Sequence, residues 1–322
     1  MAGPDTPPQT EQHPPHEEAP STGWGPTRWA ANGEVQLAYD ELTPEGLPPG
    51  HPEGEPLLLV TGLGASRRWF PTGLARLLAA QGFAVARYDQ RDGGESTHLP
   101  PTATTNPISS LLRRRGDAYT AEDMADDAIA VMDALGWDSA HLYGQSLGGA
   151  VAQRIALRHP RRVRTLTTAS AVPGDLAGPA TLRHVRLRTL ARLSRMRYPS
   201  TREGHIDAGV ALARLLCSPA HPFDEQAVRA QLADAPDPGI VDARSQSRQI
   251  GAQWHGPTID RITAPTLVLH GLDDPLIKPS AGRAAAARIP GAHFVPLPGV
   301  GHELPERAWH DIAHHMRQLA DG

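Results

Sequence analysis

The strongest constraint in this 322-residue chain is a strand-like run that turns at once into a helix. His141-Leu142-Tyr143 leads into Gly144-Gln145-Ser146-Leu147-Gly148, and a helix-like stretch with Leu147, Val151 and Ile155 on one face runs on to His159-Pro160. A serine between two glycines at this spacing marks a sharp, strained strand-to-helix turn that projects the hydroxyl. Side chains two residues to either side would strike the neighbouring strand and helix, which is why glycine stands at both places. Three fixed positions in five make a short pattern. The strand before it and the amphipathic helix after it give it weight.

The surrounding chain supplies a sheet for this turn. Leu57-Leu58-Leu59-Val60 is apolar without alternation, as expected of a parallel strand covered on both faces. A helix from about Phe70 to Ala80 and a strand over Phe83–Tyr88 complete a strand–helix–strand unit. Before it, Trp29 to Tyr39 reads as a hairpin turning at Asn32-Gly33, where both residues accept positive φ. Thr120 caps a helix running to Leu135 and stopped by Gly136, and the strand 163–168 follows the helix after the turn. The parallel pattern returns with Thr266–His270, a helix near 281–288, the strand His293–Leu297 and a last helix from about Pro305.

Two segments break this rhythm. Residues 1–25 are rich in proline and polar residues and cannot bury enough to offset their ordering entropy, so they are expected to be a disordered tail. Between Pro173 and Pro257, Arg183, Arg186, Arg188, Arg192, Arg195 and Arg197 alternate with leucines, and further helical patches cover 206–216 and 225–232. The expectation is an α/β fold with a mostly parallel sheet flanked by helices. Its core spans 26–172 and 258–322, and 173–257 form a helical cap.

Composition narrows the classes. The net charge is −4 with no long block of one sign, so a nucleic-acid partner is not expected, and Arg113-Arg114-Arg115 reads as a solvated loop. The single cysteine, Cys217, cannot form an intramolecular disulfide and suits a reducing compartment. Neither a secretory signal nor an apolar span of membrane length is present in the sequence, so the expected location is cytoplasmic. His13 and His16 lie in the polar tail. His310 and His314 stand four apart on a helix but lack a third ligand, so neither a metal nor any other cofactor is expected.

A serine hydroxyl is a poor nucleophile at neutral pH. It needs a base within hydrogen-bond reach, and the base needs a carboxylate to hold its tautomer and steady its charge. Those groups belong on loops at the C-terminal ends of parallel strands. After the strand ending at His270 comes Gly271-Leu272-Asp273-Asp274-Pro275, and after the next strand comes Gly299-Val300-Gly301-His302-Glu303. The order Ser146, then aspartate, then His302 is that of a serine hydrolase relay, and 28 residues separate Asp274 from His302, room for one helix and one strand. Spacing alone leaves Asp273 and Asp274 both open.

With Gly62-Leu63-Gly64, the run Arg87 to Thr97, the Ser146 turn, Gly271 to Asp274 and Gly301-His302, residues 27–322 resemble the α/β-hydrolase serine esterases of the aclacinomycin methylesterase kind. The resemblance implies Asp274 as the acid, three residues after its glycine. It implies the backbone N–H of Leu63 as one oxyanion donor, beside that of Leu147 next to the serine. It also implies a structural role for the Asp89–Ser96 loop, with Arg91 and Asp92 paired to each other. Many relatives carry His-Gly where this chain has Thr61-Gly62, which bears on loop packing more than on chemistry.

The expected activity is hydrolysis of a carboxylic ester through an acyl-enzyme, with a small hydrophobic or polycyclic molecule as substrate. The same groups also serve thioesterases, amidases and C–C bond hydrolases, and a non-catalytic receptor is the remaining alternative. Trp69, Gln145, Leu212, Leu216 and Trp254 are the candidate pocket residues. Oligomeric state is not legible.

Overall fold

The computed structural model describes residues 23–42, 54–100, 118–176, 178–234 and 243–322. Most of the proline-rich tail, most of the 44–56 loop and Arg113–Arg115 lie outside these residues. Eight strands form one sheet. They are β1 (Arg28–Asn32), β2 (Val35–Glu41), β3 (Glu55–Val60), β4 (Phe83–Tyr88), β5 (Ala140–Gln145), β6 (Val163–Ala169), β7 (Thr266–Gly271) and β8 (His293–Leu297), in the order β1-β2-β4-β3-β5-β6-β7-β8. β1 and β2 are antiparallel to their neighbours, and every pair from β4 to β8 is parallel.

Burial on both faces explains the unbroken apolar runs. In β3, Leu58 and Val60 join a core cluster with α2 (Ala121–Ala134) and α3 (Leu147–Arg158). Leu57 and Leu59 point the other way, into a cluster with α1 (Thr72–Ala80) and α10 (Trp309–Asp321). Successive side chains of a strand face opposite sides, so a strand between two helical layers must be apolar at every position. Thr120 caps α2 by a reciprocal capping box with Asp123.

Three expectations shift on contact with the fold. The hairpin turns at Gly33-Glu34, one residue later than expected, because Asn32 pairs with Val35. Gly33 takes a φ of 61° while Glu34 stays out of the left-handed region, the glycine-first form of the two-residue turn. Packing also begins before residue 26. Trp24 bridges to Leu42, its indole N–H donates to Thr72, and the Arg87 guanidinium lies 3.7 Å above its ring.

The third shift concerns Arg91 and Asp92, which do not pair with each other. Arg91 forks onto Asp127 of α2, with Nε and one Nη each 2.6 Å from a carboxylate oxygen. Asp92 is held by Arg248 at 2.7 Å through two hydrogen bonds. Opposite charges on adjacent residues point apart in this turn, and each finds its partner on a different helix.

Between β6 and β7 lie α4 (Pro179–Leu182), α5 (Leu187–Leu193), α6 (Arg202–Leu216), α7 (Glu225–Asp234) and α8 (Ala243–Gly251). The described residues of this stretch form no strand. α9 (Ser280–Arg288) then links β7 to β8. Among the described residues, no helix is long and apolar enough to cross a membrane.

Candidate active site

Ser146 closes β5 and opens α3 with φ 57° and ψ −119°, outside the ordinary regions for a residue with a Cβ. Its N–H donates to the Ala169 carbonyl at 2.8 Å, which ties the turn to β6. The two glycines have steric reasons. A Cβ on Gly148 would lie 2.1 Å from the Val60 carbonyl oxygen, and one on Gly144 would lie 2.3 Å from the Gly148 carbonyl oxygen. Only bare backbone lets the first turn of α3 cross the end of β3 this closely.

The three expected side chains meet. The Ser146 Oγ lies 3.0 Å from His302 Nε2, and His302 Nδ1 lies 2.7 Å from Asp274 Oδ2. Asp274 is fully buried and follows β7, while His302 follows β8. The other oxygen of Asp274, Oδ1, accepts the backbone N–H groups of Leu276 at 2.8 Å and Ile277 at 2.7 Å. An ionised carboxylate accepts only, so Nδ1 of His302 carries the ring proton and Nε2 is free to accept from the serine hydroxyl. The neighbouring Asp273 accepts instead from the Ser218 hydroxyl at 2.7 Å.

Electrostatics fit this assignment. Burial opposes the imidazolium of His302, but the Asp274 carboxylate outweighs it and raises the histidine above its ordinary value. Burial likewise opposes the charged form of Asp274. The charge and hydrogen bond of His302, with help from His270 and the Leu276 N–H, win and hold the carboxyl below its ordinary value. His270 is fully buried beneath the acid, its Nε2 at 3.6 Å from Asp274 Oδ2 and 3.2 Å from the Ile277 carbonyl. Burial lowers its pKa against the pull of the Asp274 charge.

The loop Thr61-Gly62-Leu63-Gly64 lies against the serine, and a Cβ on Gly62 would be 3.5 Å from that of Ser146. Gly64 turns at φ 57°, and the Ala65 N–H reaches back to the Gly62 carbonyl at 3.3 Å. Gln90 Nε2 donates to the Thr61 carbonyl at 2.5 Å, and the Gly64 N–H donates to Gln249 Oε1 at 2.8 Å. Leu147 is the first residue of α3, so its N–H has no acceptor within the helix. Just beyond the loop, Arg67 is wholly buried. It is held by Asp40 at 2.9 Å, Thr27 at 2.7 Å and Glu95 at 2.6 Å, and it pairs with Asp89.

The expected pocket residues separate. Trp69 packs with Ile206, Val210, Phe223 and Leu232 of the inserted helices. Leu212 and Leu216 of α6 are half-buried and outside that cluster, and Leu216 serves through its carbonyl, which accepts the His302 N–H at 2.8 Å. Gln145 Nε2 donates to the His302 carbonyl at 2.9 Å, so its amide steadies the histidine loop. Trp254 packs against the α2 and α3 layer, with its indole N–H on the Pro257 carbonyl. It is half-buried against that layer, with its ring over Gly256.

Two clefts of about 730 and 610 Å³ flank α5, and Ser146 lines neither. The larger runs behind the Asp274 loop, where Arg186 Nε donates to the Asp274 carbonyl at 2.9 Å. Sequence reasoning missed Gln249, Gln90, Arg67, Arg186 and His270. Only Arg67 left a trace, as a charged residue close behind a glycine loop and ahead of several acids.

The profile of the α/β hydrolase fold family matches residues 55–306, from β3 to just before α10. This chain belongs to that family. Two relatives of this α/β hydrolase are named rhodomycin D methylesterase. DauP of Streptomyces sp. (strain C5) is 32% identical over 298 residues, which cover 87% of this chain and 93% of DauP. DnrP of Streptomyces peucetius is 32% identical over 300 residues, with the same coverage of 87% and 93%. Among solved structures, a thermophilic esterase from Thermogutta terrifontis with malate bound superposes with a TM-score of 0.61. It is 25% identical and covers 92% of this α/β hydrolase and 100% of itself.

Proposed function

We propose that this α/β hydrolase cleaves a carboxylic ester of a small hydrophobic or polycyclic molecule through an acyl-enzyme. The observation that carries the reading is the chain of contacts from Asp274 through His302 to the Ser146 hydroxyl, at 2.7 and 3.0 Å. Ser146 Oγ attacks the ester carbonyl while His302 Nε2 takes its proton, and the carbonyl π electrons move onto oxygen. The oxyanion rests on the backbone N–H groups of Leu63 and Leu147, each worth about 3 kcal/mol of barrier. Collapse breaks the C–O bond, and the imidazolium gives its proton to the departing alcohol. Water then attacks the acyl-enzyme with His302 again as base, releasing the acid and restoring Ser146.

The substrate class rests on two supports. Two relatives that match 87% of this chain are named methylesterases, and Trp69, shortly after the oxyanion loop in sequence, packs with Ile206, Val210 and Phe223. In this reading residues 173–257 form a cap that covers the strand ends and selects the substrate. A cytoplasmic setting agrees with the lone Cys217.

A substrate panel tests the reaction class. Methyl esters of aromatic polycyclic acids are expected to be turned over faster than the matched thioester, amide or vinylogous C–C substrate. Preference for any of those three would replace the ester assignment while leaving the serine relay in place.

A further inference from the structure

Gln249 sits on α8, a helix whose sequence, Ala-Arg-Ser-Gln-Ser-Arg-Gln-Ile-Gly, reads as a solvated polar surface. Yet Gln249, Ser245 and Ser247 are buried, with Gln249 only 1% exposed. Its amide is used at both ends. Oε1 accepts the Gly64 N–H at 2.8 Å, and Nε2 donates to the Arg91 carbonyl at 2.8 Å. Gly93 is tight against the Gln90 carbonyl, since a Cβ there would lie 3.1 Å from that oxygen. One residue earlier, Arg248 forks onto fully buried Asp92 at 2.7 Å, which pins the same helix to the same loop.

We propose that Gln249 is a positioning residue for the oxyanion loop, and that the inserted helices thereby complete the hole that stabilises the transition state. The inference rests on the assignment of Leu63 N–H as an oxyanion donor. The loop that carries Leu63 has two glycines and no regular secondary structure, so its amide planes turn freely unless they are held from outside. Gln90 holds it at Thr61 and Gln249 holds it at Gly64, on either side of Leu63. Gln90 belongs to the sheet scaffold, whereas Gln249 comes from α8, more than 180 residues further along the chain. A displacement of α8 would release the Gly64 amide and leave the loop without its second anchor. Oxyanion donors act only when they are aimed before the charge develops, so a loosened donor costs rate rather than ground-state affinity.

The test compares Gln249→Met, which matches the side chain in length and loses both hydrogen bonds, with Gln249→Glu, which keeps the acceptor for Gly64. With p-nitrophenyl butyrate, Gln249→Met is expected to lose about 10- to 100-fold in kcat, the scale of a misplaced catalytic group, while KM stays near wild type. Binding of butylboronic acid, whose serine adduct mimics the tetrahedral intermediate, should weaken in parallel. Gln249→Glu should fall between Met and wild type, and it decides the matter if Gln249→Met does not fold. Wild-type kcat and boronate affinity in a folded variant, or a change confined to KM, would overturn the positioning role. Ser146→Ala, assayed alongside, separates the two levels of inference: turnover that survives there defeats the serine assignment itself, whatever Gln249 does.

Discussion

His302 Nδ1 is hydrogen-bonded to Asp274 at 2.7 Å, while the adjacent Asp273 is turned away to the Ser218 hydroxyl at the same distance. The backbone separates these two neighbouring carboxylates. Asp274 accepts the Leu276 and Ile277 N–H groups in a tight turn that aims its second oxygen at the histidine. Asp274→Asn is therefore expected to lower ester turnover by about 10⁴-fold, because an amide favours the wrong imidazole tautomer. Asp273→Asn is expected to leave turnover close to wild type. Steady-state kinetics of the two variants side by side distinguish them, and the reverse ranking would move the acid to Asp273.

The pH profile follows from the same pair. Only the free-base form of His302 can take the serine proton, so kcat/KM should rise with pH and level off. The Asp274 carboxylate holds the imidazolium, and the midpoint should lie above the ordinary histidine value of about 6.5. In Asp274→Asn that attraction is gone and burial, which opposes the charged ring, remains. The acid limb of the residual activity should move to lower pH. A pH–rate series on both proteins measures the difference, and a limb that fails to move would detach the titration from His302.

Strain at Ser146 gives a prediction in stability. A side chain at φ 57°, ψ −119° costs about 1–3 kcal/mol relative to a backbone that accepts it. Ser146→Gly removes the Cβ and Ser146→Ala keeps it, while both remove the nucleophile. The glycine variant is expected to be the more stable by about 1 kcal/mol in urea unfolding, since glycine's greater freedom in the unfolded chain offsets part of the relief. Equal midpoints would mean that the turn carries no such strain.

Much of this was legible in the sequence alone. The unbroken apolar run of β3 becomes two opposite faces, with Leu57 and Leu58 in different clusters, and the glycines of the turn are explained by Cβ clashes that would come at 2.1 and 2.3 Å. What stayed hidden depends on direction rather than composition. Arg91 and Asp92 are neighbours in sequence and point to Asp127 and Arg248. Gln249 looks like any residue of a polar helix until the loops it joins are placed. Trp254 reads as an apolar pocket wall in the sequence, and the structure packs it, half-buried, against the α2 and α3 layer.

The buried Arg67 is a cation in this region that no motif announced. Its removal in Arg67→Met would leave buried Asp89 without its cation, while Asp40 keeps Arg87, at a cost of about 3–5 kcal/mol. Urea unfolding at neutral pH should show that loss. A shift smaller than about 1 kcal/mol, the scale of an exposed pair, would mean that buried Asp89 finds another partner.

The central claim is that Ser146 carries the acyl group. It is tested most directly by mixing the enzyme with p-nitrophenyl butyrate, quenching within the burst, and locating the adduct by peptide mass spectrometry. The account expects one p-nitrophenolate released per protein in the burst and a butyryl group on Ser146. The burst should vanish in Ser146→Ala. An adduct on any other residue, or undiminished turnover in Ser146→Ala, would contradict it.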